Sequence, residues 1–208
     1  MKKLTLFFSF ALLAAAAFAQ TAPAPAKDPM PEMQTISKPA AKTMTVAQIL
    51  DRQLTNLERE LVPAAEAMPD DKFDFAPGDK IKDGEFKGVK TFAIQVRHIA
   101  ATNQIIAASL MGQPSPLSDA DSDLGPPAMK SKAEIVAYLK DSFVKVHQAL
   151  ALSSESNLTE MVRNPFGSGQ STRLGLMIVV LAHTNDHYGQ MVEYLRMNNI
   201  IPPASRTQ

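Results

Sequence analysis

The chain contains no cysteine. That absence removes disulfides, thiolate metal sites, a cysteine nucleophile and a lipid anchor on cysteine. Any metal site therefore has to be assembled from His, Asp, Glu and solvent. Charge of either sign is not in excess, since 21 Lys and Arg stand against 21 Asp and Glu, and no Lys/Arg run occurs. There is thus no electrostatic case for a nucleic-acid partner or for an anionic membrane surface. No apolar run is long enough for a stable membrane span. Alternating strand patterns and internal repeats are missing as well.

What is present begins with an address. Lys2 and Lys3 precede the apolar run Leu4–Ala17, and Ala17-Phe18-Ala19 forms an A-x-A site before Gln20. Residues 1–19 read as a cleaved Sec-type signal peptide, so the expected location is periplasmic or extracellular. Loss of Lys2 and Lys3 leaves 19 basic against 21 acidic residues. Residues 20–43 are rich in Pro and Ala and poor in large apolar side chains, the composition of an extended linker. The remaining segment, 44–208, is of single-domain size.

Within it the periodicity predicts four helices. The first opens on a capping box, Thr45-Val-Ala-Gln48, followed by Val46, Leu50, Leu57 and Leu61 at helical spacing; Pro63 is expected to kink or interrupt it. Residues 70–90 read as a long irregular passage anchored by Phe73, Phe75 and Phe86. The second helix is expected over Phe92–Met111, with Ile94, His98, Ala101 and Ile105 on one stripe. The loop 112–130 carries Asp119, Asp121 and Asp123, which lack the Gly and Glu of a calcium loop and read as solvated. A second capping box, Ser131-Lys-Ala-Glu134, opens the third helix, whose core stripe is Ile135, Tyr138, Leu139, Ser142, Val146 and Ala149; His147 sits beside it as a structural or exposed residue. A loop over 153–171 leads to the fourth helix. Ile200 and Ile201 are expected to tuck against the bundle before Pro202-Pro203. The fold class is all-α, a four-helix bundle with long connections.

The fourth helix, Thr172–Asn198, carries the chemistry. Its first half is apolar all round, the pattern of a buried helix. A stripe then runs Leu176, Val180, His183, His187, Gln190, Tyr194, with spacings of four and three. Two imidazoles on a core-facing stripe have to be satisfied, either by a metal ion or by hydrogen bonds. The motif is H-x-x-x-H but not H-E-x-x-H: Thr184 stands where a zinc peptidase carries its glutamate base. By itself the spacing leaves both alternatives open.

His183 to Gln190 (H-x-x-x-H-Y-G-Q), Tyr194 to Asn198, Ile201 to Pro203, Arg97-His98-Ile99-Ala100 and Phe73 to Pro77 together resemble the DinB-like (YfiT-like) superfamily of four-helix bundles, a name shared with an unrelated DNA polymerase. The resemblance covers roughly residues 44–205. It implies a three-histidine divalent metal centre built from His98, His183 and His187, with Zn, Ni or Fe(II) all suited to imidazole. It also implies activity like that of thiol S-transferases using bacillithiol, mycothiol or glutathione, in which the metal activates a thiol. Thr102, Asp186 and Gln190 are candidates to orient the ligands. No general base stands out, so the catalytic residues are unassigned. Three function classes stay open: a metal-dependent transferase or hydrolase acting on a small molecule, a non-catalytic metal- or ligand-binding bundle, and a scaffold or homodimerisation unit. Ordinary histidines would make metal affinity fall as pH drops through about 6.5.

Overall fold

The computed structural model describes residues 43–79, 88–119 and 121–206. Residues 1–19, expected to be a signal peptide, nearly all of the Pro/Ala-rich stretch expected to be a linker, and Phe86 lie outside them. Four helices carry the fold: α1 (Val46–Ala67), α2 (Phe92–Leu110), α3 (Lys132–Ala151) and α4 (Arg173–Met197). Each starts at a hydroxyl residue, Thr45, Thr91, Ser131 or Thr172, whose side chain accepts a hydrogen bond from the backbone N–H three residues on. At Thr45 and Ser131 the N3 side chain returns the bond, so both expected capping boxes form. Ser131→Ala removes one of them and is expected to cost about 1 kcal/mol, read as a lower urea midpoint at unchanged slope.

α2 and α3 pack most extensively on each other, α4 lies against α1 and α2, and α1 also meets α3. This arrangement sets α1 diagonally across from α2, and α3 diagonally across from α4. The α1–α2 and α3–α4 connections must therefore cross the bundle, which is why they are long. The first of them is pinned by its aromatics. Phe73 and Phe75 are buried, Phe73 packs edge-on to Phe92 at 5.5 Å, and Phe75 packs edge-on to Tyr194 at 5.7 Å. Their carbonyls accept the backbone N–H groups of Ala93 and Phe92, which satisfies orphan donors at the start of α2.

The helix buried all round is α2, where every residue from Ile99 to Leu110 is buried. α4 corrects the expectation made for it: Ile178 and Val179 are 52% and 39% exposed. Its neighbours α1 and α2 cover one side only, so an all-apolar turn of helix reaches the surface. Pro63 does not end α1, which runs on to Ala67. The missing N–H frees only the carbonyl of Arg59, an exposed residue, while Leu61, Val62, Ala64 and Ala65 hold the turn in the core. The α3–α4 connection is not all loop, because β1 (Met161–Arg163) and β2 (Gln170–Thr172) pair antiparallel, Val162 opposite Ser171. Three-residue strands are too short to show an alternating pattern. At the C-terminus Ile200 packs on the core, but Ile201 is exposed and Pro202 is buried in its place. Among the described residues no helix is long and apolar enough to cross a membrane.

Candidate metal centre

His98 from α2 and His183 and His187 from α4 meet where these two helices pack. Their ring centroids are 4.4 to 4.8 Å apart, and each offers one ring nitrogen such that the three nitrogens lie within 4.8 Å of one another. The sequence dictates this locally. His183 and His187 fall one turn apart on α4, and His98, half-buried just before the fully buried stretch of α2, faces them.

The ring nitrogens show how the cluster is set. His98 Nδ1 lies against the backbone carbonyl of Asp123. A carbonyl only accepts, so Nδ1 carries the proton and Nε2 carries the lone pair. That Nε2 faces His183 Nε2 at 2.9 Å. Nδ1 of His183 and Nδ1 of His187 are both buried without a hydrogen-bond partner among the described residues. Three imidazoles that share few partners fit a divalent ion well. Metal–imidazole bonds run about 2.0–2.1 Å, so nitrogens sharing an ion sit at most about 4.2 Å apart, a difference that ring rotation closes.

Electrostatics keep the cluster neutral. Burial lowers the His183 pKa to about 3, with the imidazoles of His187 and His98 acting in the same direction. Burial also lowers His187 to about 4, again with His98 contributing. His98 is lowered by burial, partly offset by its bond to the Asp123 backbone. Neutral imidazole is the form that ligates.

The triad lines a cavity of about 810 Å³. Thr102, one turn along α2 from His98, opens into it, as do Asp119 and Asp123 of the α2–α3 loop, Val179 of α4, Arg163 at the end of β1, and Pro165, Phe166 and Gly167 of the hairpin turn. Of the three expected orienting residues, only Thr102 lines this cavity. Asp186 and Gln190 instead bond each other, and Gln190 accepts from Gln95 at 2.7 Å. The orienting group that sequence reasoning missed is Asp123. Its carbonyl fixes the His98 tautomer, and its carboxylate pairs with Lys90 at 3.3 Å. Tyr194 in turn donates to the Lys90 carbonyl, tying this network to the end of the α4 stripe. The alternating Asp119, Asp121 and Asp123 were the only available signal, and Asp121 serves the loop itself by bonding Ser118. His147 lies elsewhere, between Asp51 (2.6 Å) and Glu58 (3.2 Å) of α1, and is structural.

Gly125 makes the loop's position testable. Its φ of +71° and its approach to the backbone and Cβ of Arg97, where an added Cβ would come within 2.9 Å, leave no room for a side chain. Gly125→Ala has to lift the loop and with it the Asp123 carbonyl. Metal affinity is expected to fall by about tenfold, the scale of lost orienting contacts, with helix content by circular dichroism unchanged.

A four-helix bundle with three histidines clustered between two adjacent helices defines a class of helical proteins with a possible metal centre. The chain belongs to the DinB superfamily, whose family model matches residues 53–191. A conserved protein from Enterococcus faecalis has a similar structure, with a TM-score of 0.56 and 15% identity over 74% of this chain and 98% of that one. A DinB-like protein from Bacillus subtilis is similar with a TM-score of 0.54 and 15% identity over 77% of this chain and 94% of that one. At that identity the likeness concerns the fold. No curated protein matches the sequence.

Proposed function

We propose that this is an exported, divalent-metal-dependent enzyme that acts on a small molecule by hydrolysis or by thiol S-transfer. The observation that carries the reading is that the three imidazoles cluster in the wall of a cavity about 810 Å³ in volume. Three protein ligands with open space above them resemble a catalytic site, whereas a structural site is closed by a fourth ligand. A divalent ion held there supplies Lewis acidity to an oxygen or sulfur ligand. Asp119 and Asp123 are the carboxylates lining the same cavity and the groups available to take a proton. Asp123 also holds His98 in the tautomer that puts the lone pair on Nε2.

Protein recovered from its native compartment is expected to carry about one ion per chain at neutral pH. The loaded form should turn over an activated ester, or a thiol with an electrophile, and His183→Ala should do neither. Uptake of no metal at neutral pH overturns the reading. Metal without turnover of either probe class leaves a binding bundle in its place.

Export rests on Lys2, Lys3, the apolar run and the A-x-A site. Mass spectrometry of the exported protein is expected to find Gln20 at the N-terminus. A mature form retaining Met1 to Ala19 would overturn that part.

A further inference from the structure

The cavity above the triad has a single permanently cationic side chain among its described lining residues, Arg163. Its guanidinium has no hydrogen-bond or ion-pair partner among the described residues. Its backbone, by contrast, is fixed. Ser109 Oγ of α2 donates to the Arg163 carbonyl, Arg163 pairs with Gln170 across the hairpin, and the next N–H, that of Asn164, bonds the Gly169 carbonyl at 3.0 Å. Ser109 follows His98 by eleven residues on α2, which returns it to the same helix face as His98, Thr102 and Ile105. One face of one buried helix therefore positions both the triad and the hairpin that carries Arg163. At 1.5 Å per residue the two anchor points lie about 16 Å apart along the axis. The lining also includes Val179 and Phe166, large apolar side chains that are 39% and 55% exposed.

We propose that Arg163 is the specificity-determining residue of this cavity, and that the ligand it selects is a small monocarboxylate with an apolar body, held at its carboxylate end by the guanidinium and presenting its other end to the triad. This rests on the metal-site reading above. A guanidinium fork matches a carboxylate in two parallel hydrogen bonds. A single negative charge is favoured over a phosphate dianion because Asp119 and Asp123 line the same cavity. Asp123 is balanced by Lys90, but Asp119 has no cation of its own among the described residues, so one guanidinium there does not neutralise it and a dianion together. Phe166 and Val179 supply apolar surface for the chain between the two ends.

The test uses zinc-loaded full-length mature protein and a length series of linear hydroxamic acids, which bind metal at one end and carry either a carboxylate or the matched carboxamide at the other. Affinity is read by calorimetry. For at least one chain length the carboxylate is expected to bind about tenfold tighter than the carboxamide, the scale of one charge-assisted pair. Arg163→Gln should erase that preference while leaving zinc content and carboxamide affinity unchanged, and Arg163→Lys should retain part of it. Equal affinity of the two probes at every length, or a preference that survives Arg163→Gln, overturns the assignment of Arg163 and leaves the metal site standing. If neither probe binds the loaded parent, the open metal site is wrong and this inference falls with it.

Discussion

His98→Ala is expected to weaken binding of a divalent ion by about a hundredfold or more, beyond the loss caused by removing an orienting contact alone. His183 and His187 sit one turn apart on α4 and would still grip an ion weakly as a pair. His98 comes from a different helix, and its nitrogen closes the set to within 4.8 Å. Its tautomer is fixed by a backbone carbonyl, that of Asp123, so it enters the site already oriented. His147→Ala is the matched control, because that imidazole spends both nitrogens on Asp51 and Glu58. Chelator competition on the two variants measures the difference. If His98→Ala binds as tightly as the parent, or if His147→Ala abolishes binding, the three ligands have been wrongly chosen.

The helices were legible because each is announced at its start and along its face. Thr45 with Gln48 and Ser131 with Glu134 close capping boxes, and the stripes on α3 and α4 turn inward where their spacing says they should. The triad was half legible. H-x-x-x-H places two imidazoles on one face by geometry alone, whereas His98 looks like any polar residue on a buried stripe until the packing of α2 against α4 is known. What surrounds the triad was not legible, for a physical reason. Asp123, Arg163 and Phe166 lie in connections whose course is set by long-range pairing, such as Ser109 to the Arg163 carbonyl, 54 residues apart. Such segments have no periodicity to read. Their length was the one hint; the diagonal placement of α3 and α4 accounts for that of the connection carrying Arg163 and Phe166, whereas the connection carrying Asp123 joins the neighbouring helices α2 and α3. Exposure of Ile178 and Val179 was missed because an all-apolar turn gives no sign of which side faces a neighbour.

Metal binding is expected to survive mild acid, which moves the midpoint away from the ordinary histidine value. At pH 5 an unperturbed imidazole is protonated by about thirty to one, and three such ligands would lose roughly four orders of magnitude in affinity. Burial, reinforced by the neighbouring imidazoles, instead lowers His183 to about 3 and His187 to about 4, and burial lowers His98 as well. His183 and His187 therefore remain neutral at pH 5, and affinity there should lie within about thirtyfold of its value at pH 7.5. The same shifts weaken the metal-free fold in acid. The unfolded chain takes up protons below about 6.5 while the folded triad does not, so the triad's contribution is fully present above that value and is lost as pH falls toward 4 and then 3. The melting temperature of metal-free protein should decline across that window. Replacing His183 and His187 together by glutamine should flatten the decline, since glutamine has no proton to gain. A decline that keeps its full slope in the double variant would show that these imidazoles are not held neutral in the fold, and a four-order loss of zinc affinity between pH 7.5 and 5 would show the same from the metal side.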